Sequence, residues 1–559
     1  MKKNKGNALI IIAIVVVVII ILGIIGYFVY EYLNSEKNNQ NLYNNEFVEQ
    51  NEYSNIDTSN NQGENTGILT PILNEIKEEN NTESGQIGQT IAAAYYYGQL
   101  DSYGKVIYNK IKQDKERLKT GTYIFDFGTE FNTLLQAKDG QTTLNTSFQS
   151  AWNALSYDED DLFYIDVSKM SLTSESRSLG GITTYYVSIG PGNNKNYLKE
   201  DFQTQDSIEK AQNYIDNLVN QVVEQTKNDA TDIKIKRIHN WLISTIQYEK
   251  DENSKNQHNI YGALHDKKAV CEGYARSFKY IMKKVGVPAV LVSGTARNSE
   301  DKTESHAWNY VQINENWYAV DVTWDDPIND RPGHAQHTYF LLSDNAIQNL
   351  PSKHYDYTIS YGANSTKYDN YEIHNFDTRL CEVNGEFYGF VNNNSSANKG
   401  ALLKYKLDSN TYEKKLKLNE RWSAGGNSYW INTFMSLEKY NDTLYFNTSD
   451  AVYSYDVETG RQAVAASDIS GVSASSGKLC YGMVLKGDAM YVAVSDSPNN
   501  KATLQYVKRV DKGNLAIGMT NYVMTASTNS AEKAYYGDAN GDGKINIADA
   551  TAIQKAIVG

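Results

Sequence analysis

Three side chains near the middle of this chain are of the types that acyl transfer requires. Cys271 stands in Lys268-Ala-Val-Cys-Glu-Gly-Tyr-Ala275, His306 in Ser305-His-Ala-Trp-Asn309, and Asp321 in Trp317-Tyr-Ala-Val-Asp-Val-Thr-Trp324. A thiolate can attack the carbon of an amide or carboxamide. An imidazole takes the thiol proton and later gives it to the leaving amine, and a carboxylate fixes the imidazole tautomer and supports its charge. Cys271, His306 and Asp321 fill these three roles in that order.

The elements that must position them follow from periodicity. After Cys271, the residues Phe278, Ile281, Met282 and Val285 recur at helical spacing, and Gly286 ends the run. Cys271 therefore falls at a helix start. There the free N–H groups and the helix dipole favour thiolate and can hold a developing oxyanion. A structural cysteine more often lies inside an element as a small hydrophobe. From Ser305 to Trp324 the pattern is strand, turn at Asn314-Glu315-Asn316, strand, which predicts a β-hairpin. Its register decides whether His306 meets Asp321. With Ile313 opposite Asn316, Asp321 is the diagonal neighbour of His306 on one face. With Ile313 opposite Trp317 the two fall on opposite faces, unless a bulge restores the phase. Tyr261, Trp308 and Trp324 are candidate walls of a substrate cleft, with core packing as the competing role. His334 and His337 flank a predicted strand over 338–342. Without a third ligand they are a weak metal signal and carry no assignment.

A second chemistry lies near the end of the chain. In 538–549, oxygen donors occupy loop positions 1, 3, 5, 9 and 12 as Asp538, Asn540, Asp542, Asn546 and Asp549. Lys544 offers its backbone carbonyl at position 7, and Gly543 permits the sharp turn at position 6. Ile545 anchors the loop, and a helix follows to Ile557. This spacing predicts calcium binding.

The wider chain bounds what these sites can serve. It has 559 residues with 21% charged and 40% hydrophobic, so most of it can bury a core in about three to five units. The net charge of −14 argues against a nucleic-acid partner. Three cysteines exclude a disulfide scaffold and a four-thiolate zinc site; Cys381 and Cys480 could pair outside a cell, but sequence cannot set their distance. The 43 Tyr against 15 Phe suit wet binding surfaces, since tyrosine gives apolar area with a polar handle. Residues 8–30 carry no charge, enough at 1.5 Å per residue to span roughly 34 Å of bilayer. Lys2, Lys3 and Lys5 precede them, which predicts a cytoplasmic N-terminus and the bulk of the chain outside the cell. The bulky Tyr27-Phe-Val-Tyr-Glu-Tyr32 disfavours a signal cleavage site.

The expected organisation is a basic tail 1–7, a transmembrane anchor 8–32, an Asn-rich disordered linker 33–86 and an α+β module 87–200. A thiol domain 201–360, a β-repeat region 361–530 and a calcium repeat 531–559 follow. In the thiol domain, an amphipathic helix over Ile208, Ala211, Ile215, Leu218 and Val222 has Asp206 as candidate N-cap, and a second helix runs over about 231–247. In the β region three turn–strand–loop–strand stretches begin near Asn384, Asn441 and Lys486. Their spacings of about 57 and 45 residues suit propeller blades, with a small sandwich as equal competitor. The whole is thus an α+β multidomain chain.

Segment 230–345 resembles the transglutaminase-like, papain-like thiol superfamily in its bacterial extracellular branch. The matching motifs are Ile238-His-Asn-Trp-Leu, Asn259-Ile-Tyr-Gly-Ala-Leu, Ala269-Val-Cys-Glu-Gly-Tyr-Ala, His306-Ala-Trp-Asn and Trp317-Tyr-Ala-Val-Asp-Val-Thr-Trp-Asp-Asp-Pro327. The resemblance implies a papain-like core with Cys271, His306 and Asp321 as triad, needing no cofactor. It also implies a protein or peptide substrate, the product being a cross-link when an amine accepts and a cleavage when water does. Residues 90–200 look, more weakly, like the region preceding this domain in related bacterial proteins. The calcium loop resembles one dockerin repeat, with Asp rather than Glu at position 12, and Ile547 and Ala548 where dockerins recognise cohesin. A dockerin has two repeats and this segment supplies one. The rival expectation is a non-catalytic surface adaptor binding wall glycan or a cohesin-type partner. A part in a polysaccharide-degrading complex rests on the dockerin resemblance alone, since no pair of carboxylates for glycoside hydrolysis stands out.

Overall fold

The computed structural model describes residues 96–510, apart from 250–253, 298–300, 327–330, 356–361, 394–395, 426–427, 474–475, 499 and 501. The expected anchor 8–32, the linker 33–86 and the calcium repeat 531–559 with its residues 538–549 lie outside the described residues. Among the described residues no helix is long and apolar enough to cross a membrane.

The first module pairs two helices with a small sheet. Helix α1 (Ser102–Gln113) is capped by Asp101, whose carboxylate accepts from the Gly104 N–H. It buries Ile107, Tyr108 and Ile111 against α2 (Gly140–Asp158). The strands β1 (Phe125–Gly128), β2 (Ser171–Leu179) and β3 (Ile182–Gly190) form an antiparallel sheet in the order β1-β3-β2. The helix α3 (Gln205–Thr226) buries Ile208, Ala211, Ile215, Leu218 and Val222, as the periodicity predicts. Its cap is Thr204 rather than Asp206. Thr204 is extended and its hydroxyl closes a capping box with Ser207, whereas Asp206 already lies in the first turn and pairs with Lys210 at 2.7 Å. Helix α4 spans Thr231–Thr245.

The thiol domain is built on a helix against a sheet. Two short parallel strands, β4 (Gln247–Tyr248) and β5 (Lys268–Ala269), lead into α5 (Cys271–Lys284). Beyond it the strands β6 (Ala289–Arg297), β7 (Thr303–Ile313), β8 (Asn316–Val320), β9 (Phe340–Leu342) and β10 (Lys353–Tyr355) form a five-stranded sheet in the order β10-β6-β7-β8-β9. Between β9 and β10 runs α6 (Asp344–Asn349). The α5 helix lies on one face of this sheet, with Ala275 against Leu291 and Ala307. The Asn309 side chain donates to the Ala275 carbonyl at 2.9 Å and ties strand to helix.

Among the described residues from 381 to 510 the regular elements are strands, in consecutive antiparallel meanders. The first sheet holds β11 (Cys381–Val383), β12 (Glu386–Phe390), β13 (Ala401–Lys406) and β14 (Thr411–Lys417). A two-stranded ribbon follows, β15 (Arg421–Gly425) with β16 (Ser428–Ile431). The second four-stranded sheet holds β17 (Leu437–Tyr440), β18 (Thr443–Asn447), β19 (Val452–Asp456) and β20 (Gln462–Ala466). The third holds β21 (Leu479–Lys486), β22 (Ala489–Ser495) and β23 (Thr503–Arg509). Strand β17 touches both β11 and β21, so successive up-and-down sheets meet through their first strands. At the first hairpin, Asn384 and Gly385 take φ of 53° and 78°, the left-handed pair that a two-residue turn needs. Cys381 and Cys480 are buried, free thiols, so they do not pair, and burial pushes Cys480 up to about 12.

One glycine governs how α5 is seated. A Cβ on Gly273 would stand 2.4 Å from the Gln257 carbonyl oxygen and 2.7 Å from the Ala269 Cβ. Backbone cannot yield as a flexible side chain does. Gly273→Ala is therefore expected to destabilise the protein by about 1–3 kcal/mol through overpacking, measured as a lower urea midpoint with an unchanged slope.

Candidate active site

The backbone delivers Cys271 to a helix start by a chain of main-chain bonds. Gln247 N–H donates to Lys267, Glu249 N–H to Ala269, and Val270 N–H to the Gln257 carbonyl at 3.0 Å. Lys267 turns the chain with a φ of 62°. Val270, the N-cap, is extended and provides no side-chain acceptor. The N–H groups of the first turn are thus not occupied by a cap, and they lie where negative charge on sulfur or on a carbonyl oxygen is favoured. Cys271 is half-buried, whereas the other two thiols are buried.

The hairpin takes the register that serves the site. Ile313 stands opposite Asn316, Gln312 opposite Trp317 and Asn309 opposite Val320. The alternative register, Ile313 opposite Trp317, is not adopted. Asp321 follows the last residue of β8, and its Oδ2 lies 2.6 Å from His306 Nε2. An ionised carboxylate only accepts, so His306 Nε2 carries the hydrogen and Nδ1 is the nitrogen left to face the thiol. Cys271 lies close enough to His306 to add to the rise of the imidazole.

Asp321 is fully buried and collects four donors. Its Oδ1 accepts the N–H groups of Thr323 at 2.9 Å and Trp324 at 3.1 Å. Its Oδ2 accepts His306 and also His354 Nε2 at 2.8 Å. Burial alone would push Asp321 up; the charges and hydrogen bonds of His306 and His354 overcome it and hold the carboxyl well below its usual range. Burial likewise opposes charge on His306, but Asp321 and then Cys271 outweigh it, and the imidazole lies well above its ordinary value. His354 goes the other way. Burial brings it down to about 4 against the pull of Asp321, and the nearby His306 adds to the lowering. One carboxylate oxygen thus faces two rings shifted in opposite directions, His306 up and His354 down.

The Nε2 and Oδ2 atoms of these three groups lie within 4.8 Å of one another, as metal ligands would. Two ligands on a tetrahedral ion at 2.0–2.1 Å would stand about 3.3 Å apart. The separations of 2.6 and 2.8 Å are those of hydrogen bonds.

The three predicted cleft aromatics fare differently. Trp324 lies over His306 with ring centroids 5.0 Å apart and is partly exposed. Trp308 is buried behind His306 at 6.1 Å and packs the core, so it is not a cleft wall. Tyr261 packs among Phe163, Phe202 and His265 and makes no ring contact with the trio. Its place at the start of the short helical turn Gly262–Asp266, between α4 and α5, sets it against the first module. His334 and His337 do not converge on a metal. His334 Nδ1 lies 3.1 Å from the Asp377 carbonyl, and His337 Nε2 lies 2.9 Å from Asn240.

Several site residues were not evident in the sequence. His354 sits in a three-residue strand without alternation, remote from the motifs. Asp325 accepts His239 Nε2 at 3.0 Å, and Asp326 accepts the Tyr274 hydroxyl at 2.5 Å, so the turn after Asp321 is pinned to α4 and α5. Glu272, beside the thiol, bonds His258 and Arg276, and these two overcome burial to bring it down to about 2. Arg276 and Lys279 reach Asp160 of the first module, at 3.3 and 2.5 Å. Tyr157 of α2 and Cys271 pack on the same apolar group, Ala275, Leu291 and Ala307.

Residues 216–322 match the family model of the transglutaminase-like superfamily, and the chain holds a transglutaminase-like core within a mixed α/β structure that ends in a β-rich part. Two curated relatives are similar to part of this chain. Kyphoscoliosis peptidase of Homo sapiens is 27% identical over 133 residues, and that of Mus musculus is 25% identical over 126. The match covers 22% and 21% of this chain and spans only 19% of the length of either relative. Among solved structures, a putative cysteine protease from Cytophaga hutchinsonii is 16% identical, covering 29% of this chain and 67% of that one, with a TM-score of 0.18. A TGase crystal structure is likewise 16% identical at a TM-score of 0.18, covering 28% of this chain and 45% of that one.

The two shifted groups give stability a definite pH dependence. His306 is raised on folding, so its contribution is complete below the unfolded value of about 6.5 and is lost as pH rises through the folded value. Asp321 is depressed, so its contribution holds above about 3.9 and is lost as pH falls through the folded value. Removing the charge with Asp321→Asn is expected to cost about 3–5 kcal/mol near pH 6, where the pair is complete. The difference from wild type is expected to narrow toward alkaline pH. Urea unfolding of both proteins across pH 5–10 checks the sign.

Proposed function

We propose that this chain is a thiol acyl-transfer enzyme acting on amide groups of proteins or peptides. The observation that carries the reading is the buried His306–Asp321 contact with Cys271, at an uncapped helix start, as the other partner of the imidazole. The peptidase name of the human relative favours a peptide carbonyl as the group attacked.

The chemistry follows from the positions of the protons. His306 takes the Cys271 proton on Nδ1, while Nε2–H stays on Asp321. The sulfur attacks the amide carbon, and first-turn N–H groups of α5 receive the charge that develops on oxygen. The C–N bond breaks as His306 returns its proton to the leaving nitrogen, leaving a thioester. Water or an amine then gives a proton to His306 and attacks the thioester carbon. The C–S bond breaks and Cys271 recovers its proton from the imidazole. Water yields a cleaved or deamidated product, and an amine yields a cross-link. Asp321 stays anionic throughout.

In this reading residues 8–32 anchor the chain in the membrane, and 33–86 carry the enzyme away from the outer surface. The 538–549 loop binds calcium, with Ile547 and Ala548 facing a cohesin-type partner. A second reading has the β sheets bind wall glycan with the thiol fold as scaffold. It is favoured by the exposure of Tyr412, Tyr429 and Tyr506.

The test incubates the wild-type chain and Cys271→Ala with a cell-surface protein extract and a labelled primary amine. Label incorporation that the substitution abolishes means transfer to amines. New peptide termini that it abolishes mean peptidase action. The acyl-transfer reading fails if neither product forms and Cys271 also reacts with iodoacetamide as slowly as an ordinary thiol.

A further inference from the structure

We propose that His354 is a positioning residue for this site: it donates its Nε2–H to the same Asp321 oxygen that receives His306, and so holds the carboxylate in line with the catalytic imidazole. The proposal rests on the acyl-transfer reading above and extends it by a fourth group.

The need for such a group follows from where Asp321 stands. It is past the end of β8, beyond the last residue that pairs with β7. Its own N–H bonds the Tyr339 carbonyl, and its Oδ1 is taken by two backbone donors. Those bonds leave Oδ2 free to swing about them with only His306 as its partner. His354 supplies the second donor on that oxygen, from the other side of the sheet. Strand β10 pairs with β6, which places His354 opposite Ala296, while Gly294 of β6 is in register with His306. Gly294 has no side chain to stand between the two rings, whose centroids are 5.2 Å apart.

His354 is itself well fixed. It has no exposed surface, and its ring lies 4.5 Å from Trp324, 4.7 Å from Trp308 and 5.3 Å from Tyr339. A side chain wedged this way has one orientation to offer. The titratable groups around it are Asp321, His306 and Tyr339, with Glu304 close to the first two and itself raised by burial. The sharing also has an electrostatic side. A neutral donor stabilises the anion without adding a second buried positive charge. The carboxylate is then free to support charge on His306.

The test follows alkylation of Cys271 by iodoacetamide against pH in the full-length chain, reading the Cys271 peptide by mass. His354→Leu, which removes the donor, is expected to lower the alkylation rate at pH 7 about tenfold relative to wild type. His354→Gln keeps an N–H near the Nε2 position and is expected to restore most of the rate. A Leu profile that superimposes on wild type, or a Gln variant as slow as Leu, overturns the proposal. A measurement on the unaltered protein does not depend on either variant folding: nitrogen-15 histidine spectra at pH 7 are expected to show His354 neutral with its proton on Nε2. A proton on Nδ1 alone would leave Nε2 nothing to donate and overturns the proposal. Failure of the acyl-transfer reading looks different, as wild-type Cys271 reacting no faster than an ordinary thiol with no response to His306→Ala. The His354 tautomer is still decided in that case.

Discussion

A carboxylate without solvent is the constraint on which this site depends. Stripping Asp321 of water costs several kcal/mol unless every lone pair is answered, and the surrounding structure is arranged to answer them. Thr323 and Trp324 turn their N–H groups back on Oδ1, and that fixes the chain's path as it leaves β8. His306 and His354 converge on Oδ2 from two strands with one strand between them. The next residues are tied down in turn, Asp325 by His239 and the Tyr339 N–H, and Asp326 by Tyr274. Tyr274 lies in the first turn of the thiol helix. The carboxylate that orients the imidazole and the helix that presents the sulfur are therefore coupled through two residues of one turn.

The parts of this arrangement legible in the sequence are those set by local pattern. The helical spacing after Cys271 predicts α5, and the alternation on either side of Asn314-Glu315-Asn316 predicts the hairpin. Alternation could not choose the register, because both pairings bury apolar residues. Here Ile313 opposite Asn316 lets Asp321 fall where His306 can reach it and leaves the polar turn in solvent. His354 was illegible for a different reason. Its role comes from a three-residue strand added at the far edge of the sheet, and nothing local marks such a contact. Tyr261 shows the converse. Its motif is near the thiol in sequence, but the loop turns its ring into an aromatic cluster with Phe163 and Phe202, and packing took precedence over proximity. In α3 a hydroxyl with the right backbone displaced the expected acidic cap, because Thr204 can be extended and Asp206 is already helical.

The flanking regions are joined to the thiol domain by buried polar contacts as well as apolar packing. On one side Arg276 and Lys279 of α5 meet Asp160 beside α2. On the other, Arg237 of α4 meets Glu382 of β11, and His334 bonds the Asp377 carbonyl. Contacts of this kind add little net stability, since desolvation offsets most of the attraction, but they penalise any other docking that would leave one partner alone. They therefore specify a position more than they add stability. For α5 the consequence is direct, because the residues that bind the first module lie one and two turns from Cys271.

That placement bears on what can reach the sulfur. Tyr157, at the end of α2, packs on the same apolar group as Cys271, and Arg276 stacks over its ring at 5.2 Å while bonding Glu272, the residue next to the thiol. The apolar group behind the thiol thus takes a neighbour from outside the domain that supplies Cys271, His306 and Asp321. In the acyl-transfer reading proposed above, a change at Tyr157 would alter the packing behind α5 at no cost to the Asp321 network that supports the imidazole.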